Sequence, residues 1–195
     1  NPPMLLLHST AQLPRTPTSP TTFLDRLQSY GNSSLWETLE MDGDGTWIID
    51  SIRNGTLAGA CDGSYQVDIA TDICSAGFML IDTDTSKSIR GSWAEKSMYA
   101  GNYRGEIFGG MALSLLLLAA ESFLPENASV PPVSLWIDNS GVIHHGSKPN
   151  ADLLEQQPQA DVLCLLKRYL RKLRLNVRFE KVDSHVDDYL PAYLL

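Results

Sequence analysis

The 195-residue sequence is short of the features that narrow a protein's chemistry at once: cysteine, histidine and long apolar runs. Cys61, Cys74 and Cys164 are odd in number, widely spaced and form no CxxC pair, which argues against a zinc site or a disulfide framework and suits a reducing compartment. The longest apolar stretch, residues 109–120, has 12 residues interrupted by Ser114. That falls short of the roughly 18 a membrane span needs, so no membrane partner is expected. Residues 4–7 are too short for the apolar core of a signal peptide and follow no basic run, so an intracellular setting, cytoplasm or nucleus, is expected. Glycosylation patterns at Asn32, Asn54 and Asn127 are short enough to arise by chance. A GxSxG elbow, a phosphate-binding loop and a dinucleotide fingerprint are all missing, which lowers the serine-hydrolase, nucleotide-triphosphatase and dehydrogenase readings. A chain that opens at Asn1 is expected to be a fragment of a longer one.

What is present is an ordinary globular composition, 43% hydrophobic and 19% charged, which excludes whole-chain disorder. The net charge is -8, from 15 Lys and Arg against 23 Asp and Glu. Its distribution is uneven. Residues 37–84 hold ten carboxylates and the single base Arg53, whereas residues 167–181 hold seven bases. A basic face beside a carboxylate cluster suits a protein that holds a polyanion and brings a divalent cation to it, although a basic run alone is more often a solvated helix face.

Residues 1–22 carry five prolines among Thr and Ser and read as a tail or linker. Residues 23–53 read as a short helical extension broken by Asp42-Gly43-Asp44-Gly45. That turn is no calcium loop, because Trp47 and Arg53 stand where glycine and glutamate are required. From residue 54 to 195 the pattern becomes that of an α/β domain. Strands are predicted at 57–65, 75–81 and 88–95, with short links that imply antiparallel neighbours. A long helix follows at about 103–123, stopped by Pro125, with Gly109-Gly110 marking close helix-to-sheet packing. A buried parallel strand at 133–137, a short helix, a second helix at 159–173 and a final strand at 175–182 complete a mixed sheet flanked by helices.

Three acids sit where folding alone would not put them: Asp62 after an apolar strand run, Glu106 at the start of the long helix, and Asp138 at the end of the fourth strand. Buried together without bases they would repel, and hard oxygen donors without His or Cys select Mg²⁺ or Mn²⁺. Each also has an innocent reading, as a turn, a helix-dipole partner or a cap.

These residues carry a family resemblance over about two thirds of the chain. Cys61-Asp62-Gly63-Ser64 resembles the first-strand Asp-Gly-Ser of the ribonuclease H domain. Asn102-Tyr103-Arg104-Gly105-Glu106 is similar to its Asn-x-Arg-x-Glu opening of the first helix, and Trp136-Ile137-Asp138-Asn139-Ser140 to its fourth-strand motif. Val182-Asp183-Ser184-His185 is similar to the strand-then-histidine element near its end.

The resemblance implies a ribonuclease H-like, five-stranded mixed sheet, three antiparallel strands then two parallel to the first. It implies hydrolysis of the RNA strand of an RNA/DNA hybrid by two Mg²⁺ or Mn²⁺ ions held by Asp62, Glu106 and Asp138, with Asp188 as a candidate fourth ligand and His185 as a proton shuttle or product-release residue. Ser64, Asn102 and Asn139 would lie along the substrate backbone, and Lys167 and Arg171 would contact it from the basic helix. The run from His185 to Asp188 resembles retroelement-type members, which implies a polyprotein with a reverse-transcriptase domain as partner and a domain lacking its last helix. The alternatives are a catalytically impaired module of the same fold that binds nucleic acid or serves a structural role, and a DNA-cutting integrase or resolvase.

Overall fold

A computed structural model describes residues 22–31, 33–154 and 156–182. The expected His185 and Asp188, and residues 1–21 of the expected tail, lie outside the described residues. Among the described residues, six helices and six strands follow in the order α1 (Phe23–Gln28), α2 (Ser33–Trp36), β1 (Glu40–Met41), α3 (Thr46–Asn54), β2 (Leu57–Ser64), β3 (Ile73–Asp82), β4 (Ser88–Lys96), α4 (Asn102–Glu121), β5 (Val133–Ile137), α5 (Ser140–Ser147), α6 (Ala160–Leu170) and β6 (Val177–Lys181).

The strands form one sheet in the order β1-β4-β3-β2-β5-β6. β2, β3 and β4 are antiparallel neighbours, while β5 pairs parallel with β2 and β6 parallel with β5. These five strands have the order and directions that the ribonuclease H resemblance implies. The sheet differs from the expectation by a sixth strand: β1, from the helical extension, pairs antiparallel with β4 through Glu40 and Arg90. Asp42 reinforces that edge by accepting hydrogen bonds from the backbone N–H of Ser88 at 2.8 Å and, through its own N–H, donating to the Ser88 carbonyl at 3.0 Å.

Alternation along β2 buries Leu57, Gly59, Cys61 and Gly63 and turns Asp62 and Ser64 outward. Helix α4 lies against β2 and β3, buried from Arg104 to Glu121. An α-helix apolar on every side must sit inside the protein or a bilayer. By length and composition α4 is long enough to cross a membrane, which the 12-residue run understated, yet 94% of its most apolar window is buried within the fold. Glycine makes that burial possible: a Cβ at Gly109 would stand 2.7 Å from Cys61 Cβ, so the close packing expected from Gly109-Gly110 is present at the first of the pair.

The extension shares this core. Phe23, Leu27, Leu35, Trp47, Ile48 and Ile52 belong to the same buried apolar cluster as Leu113 and Leu117 of α4. Thr22 starts α1 with a reciprocal cap, its hydroxyl accepting from Asp25 N–H at 3.1 Å while Asp25 accepts from Thr22 N–H at 3.0 Å.

Candidate active site

Parallel pairing places Cys61 of β2 beside Ile137 of β5, so Asp62 and Asp138, each one residue further, are neighbours at the carboxyl ends of adjacent strands. Outside the carboxyl ends of parallel strands is where open α/β sheets commonly bind ligands. Glu106 reaches the same end from below, on the second turn of α4. The three therefore approach from different directions, and their burial differs. Glu106 is 1% exposed. Asp62 is exposed and Asp138 half-buried. The expectation of three acids withdrawn from water is corrected to one, because strand alternation turns Asp62 away from the core.

Glu106 is where the electrostatic tension concentrates. Its carboxyl is pushed up to about 7, first by burial and further by the charges of Asp62 and Asp138, against a lowering hydrogen bond from Gly63 N–H. Its Oε2 is buried without a hydrogen-bond partner. Among the described residues none of the three acids joins an ion pair, and the nearby Arg104 is committed elsewhere, to Glu95 and Asp161. Below them the Cys61 thiol is forced toward its neutral form by burial and then by Glu106 and Asp62, so it is no nucleophile.

The donor set fits a hard divalent cation in chemistry: oxygen only, with one buried carboxylate oxygen unsatisfied. It is not a finished cage. Among the described residues no three His, Cys, Asp or Glu side chains are gathered closely enough to hold an ion by themselves. Of the three carboxyls, those of Glu106 and Asp62 come close enough to share a side-chain hydrogen bond, while Asp138 acts on Glu106 through its charge.

Of the residues expected to touch substrate, Ser64 ends β2 and Asn102 begins α4, both exposed. Asn139 instead caps α5, its Oδ1 accepting from Gly141 and Val142 N–H at 2.9 and 3.2 Å. That is the innocent reading of the position, and it commits the carbonyl end of the side chain. Lys167 is a correction. Expected to meet the substrate, it is 2% exposed and its Nζ donates to the Lys148 and Ala151 carbonyls at 2.6 and 2.8 Å, pinning the loop before α6. It lies one turn after Leu163 and falls on the inward stripe. Arg171 remains exposed, but α6 runs parallel to α4, with Asp161 against Arg104 at one end and Arg174 against Glu121 at the other. Arg171 therefore lies further along α4 than Glu106, by roughly 12 Å along the helix axis.

Two features of the site had little sequence signal. Gly63 is required because a Cβ there would be 2.4 Å from the Glu106 backbone nitrogen. Its place beside Asp62 in the resemblance motif was the only hint. Arg104 organises the start of α4 through partners 9 and 57 residues away, which no local pattern reveals.

No protein-family profile matches the chain, and no curated protein matches it. Solved structures do. Ribonuclease H1 of the halophilic archaeon Halobacterium salinarum is 15% identical, with 68% of this chain and 89% of that chain covered at a TM-score of 0.48. The ribonuclease H domain of prototype foamy virus is 11% identical, covering 71% and 85% at a TM-score of 0.49. LC11 ribonuclease H1, from a compost metagenome and solved with an RNA/DNA hybrid, is 10% identical, covering 66% and 86% at a TM-score of 0.47. At such identities the functional reading stands on the chain's own carboxylates.

Proposed function

We propose that this protein is a divalent-metal-dependent nuclease acting on the RNA strand of RNA/DNA hybrids. The observation that carries the reading is Glu106: a buried carboxylate with an unsatisfied oxygen, facing Asp62 and Asp138 with no cation among the described side chains to balance them. Asp62, Glu106 and Asp138 would hold Mg²⁺ or Mn²⁺. When bound, such an ion supplies Lewis-acid charge at a scissile phosphate and lowers the pKa of water.

The chain's own residues have separable tasks. Asp62 and Asp138, at neighbouring strand ends, present negative charge where solvent and substrate can reach it. Gly63 lends its N–H to Glu106 and keeps that carboxylate from being wholly unsolvated. Ser64 and Asn102 place a hydroxyl and an amide beside the acids, groups able to bond phosphate oxygens and the 2′-hydroxyl that distinguishes RNA. The His185 to Asp188 run, by its resemblance to retroelement members, supports a setting beside a reverse transcriptase.

The test is cleavage of a labelled hybrid by the full chain in Mg²⁺, with Asp62→Asn beside it. The substitution is expected to reduce the rate at least about 100-fold. Equal rates for parent and variant would remove Asp62 from the chemistry and the reading with it. That no three metal-ligating side chains are gathered among the described residues favours one second reading, an impaired module that binds hybrids without turnover. Hybrid binding with no product in either Mg²⁺ or Mn²⁺ selects it.

A further inference from the structure

The first turn of α4 carries Asn102 and leads into Glu106, and apart from the Tyr103 ring packed against the core and Gly141 little local structure holds it. Its N-cap, Gly101, supplies no side-chain hydrogen bond. Beneath it the contact with the sheet is glycine on backbone: a Cβ at Gly105 would stand 2.4 Å from the Ser75 carbonyl oxygen, and one at Gly63 would stand 2.4 Å from Glu106 N. Such contacts permit close approach, but a glycine brings no side chain of its own to fix the register.

Arg104 supplies the missing registry. Its Nε and Nη2 donate to the two oxygens of Glu95 on β4 at 2.6 and 3.2 Å. From Nη1 it donates to Gln159 Oε1 at 2.7 Å and to Asp161 Oδ2 at 3.0 Å, both at the start of α6. Gln159 then donates from Nε2 to the Tyr99 carbonyl at 3.1 Å, in the loop that leads into α4. Gln159 makes these bonds from a left-handed backbone, φ 61, although it provides no side-chain cap for α6. A side-chain-bearing residue stays in that region only when its surroundings over-determine it. Here the two side-chain bonds, to Arg104 and to Tyr99, hold it together with the Leu163 N–H that its carbonyl accepts at 3.0 Å.

We propose that Arg104 and Gln159 are positioning residues: through a planar fork and a strained bridge they fix the first turn of α4, so that Asn102 and Glu106 face Asp62 and Asp138. The inference rests on the nuclease reading for its consequence, though not for its geometry. Neither residue touches the reacting atoms. A merely structural ion pair would couple any loss of activity to a loss of stability, and Gln159 separates the two. Glycine is favoured at φ 61 and acceptable at a helix start, so Gln159→Gly relaxes the backbone while deleting both bonds.

The experiment compares the full chain with Gln159→Gly, Arg104→Lys and Arg104→Gln. It reads thermal midpoint, amide hydrogen exchange in the first turn of α4, Mn²⁺ affinity, and kcat and KM on a hybrid. Gln159→Gly is expected to melt at or above the parent, while first-turn exchange quickens, Mn²⁺ binding weakens about tenfold and kcat falls more than KM rises. Arg104→Lys should restore only part of what Arg104→Gln loses, because an ammonium cannot span both acids. Unchanged exchange and Mn²⁺ affinity in Gln159→Gly overturns the proposal, and so does a midpoint that falls in step with activity. If the parent cuts nothing while exchange still quickens in Gln159→Gly, the positioning role stands and the nuclease reading alone is lost.

Discussion

At the residue scale, Glu106 makes a testable statement about pH. Its carboxyl moves from an ordinary 4.5 to about 7 on folding, through burial first and then the neighbouring acids. Below the unfolded value it is protonated in both states and folding is not penalised. As pH rises from about 4.5 through 7 the unfolded chain releases a proton that the folded chain retains, so stability without added metal should fall by roughly 3 kcal/mol and stay lower above that range. Urea midpoints measured from pH 4 to 8 check this, and Glu106→Gln should flatten the slope. An identical slope in the variant would assign the pH dependence to other groups. The position of Glu106 was legible in the sequence because an acid opening an apolar helix is conspicuous. Its isolation from Arg104 was not, since Arg104's partners on β4 and α6 meet it only after the chain folds.

At the element scale, the β3–β4 hairpin depends on Asp82. Burial alone would raise its pKa, but hydrogen bonds from the Thr56 hydroxyl, Asp84 N–H, and the Thr85 and Ser51 hydroxyls hold it down to about 2. The Asp84 and Thr85 bonds measure 3.0 and 2.8 Å. The stabilisation is present above the unfolded value of 3.8 and lost as pH falls toward 2. Asp82→Asn should therefore cost about 1–2 kcal/mol at neutral pH and progressively less below pH 3, read from paired denaturation curves. Elements were the most legible level of this protein. The strand-like runs at 57–65 and 75–81, the buried run at 133–137 and the long helix stopped by Pro125 each correspond to an element in the structure, with ends shifted by a few residues. Lys167 shows why orientation is harder. The resemblance set it against substrate on the basic helix, yet its long stem lies along the core and its ammonium finds two carbonyls that a neighbouring loop brings within reach.

At the scale of the whole molecule, the N-terminal helices and the sheet share one buried cluster, with Ile48 fully enclosed. Ile48→Ala should lower the stability of the entire fold by about 2–4 kcal/mol in one cooperative transition, seen alike by far-ultraviolet circular dichroism and tryptophan fluorescence. Loss of the helical extension alone, with the sheet melting as before, would show instead that the two parts fold separately.

The linear order of residues by itself determined the α/β class, the antiparallel-then-parallel strand plan and the identity of three candidate acids, because periodicity, turn residues and misplaced charge are local properties. Only the tertiary structure decided that Asp62 faces solvent while Glu106 is buried, that Lys167 is a strut, that β1 adds an edge to the sheet, and that Arg104 and Gln159 join β4, α4 and α6. Each depends on residues distant in the chain becoming neighbours, and no local spacing encodes which of them will meet.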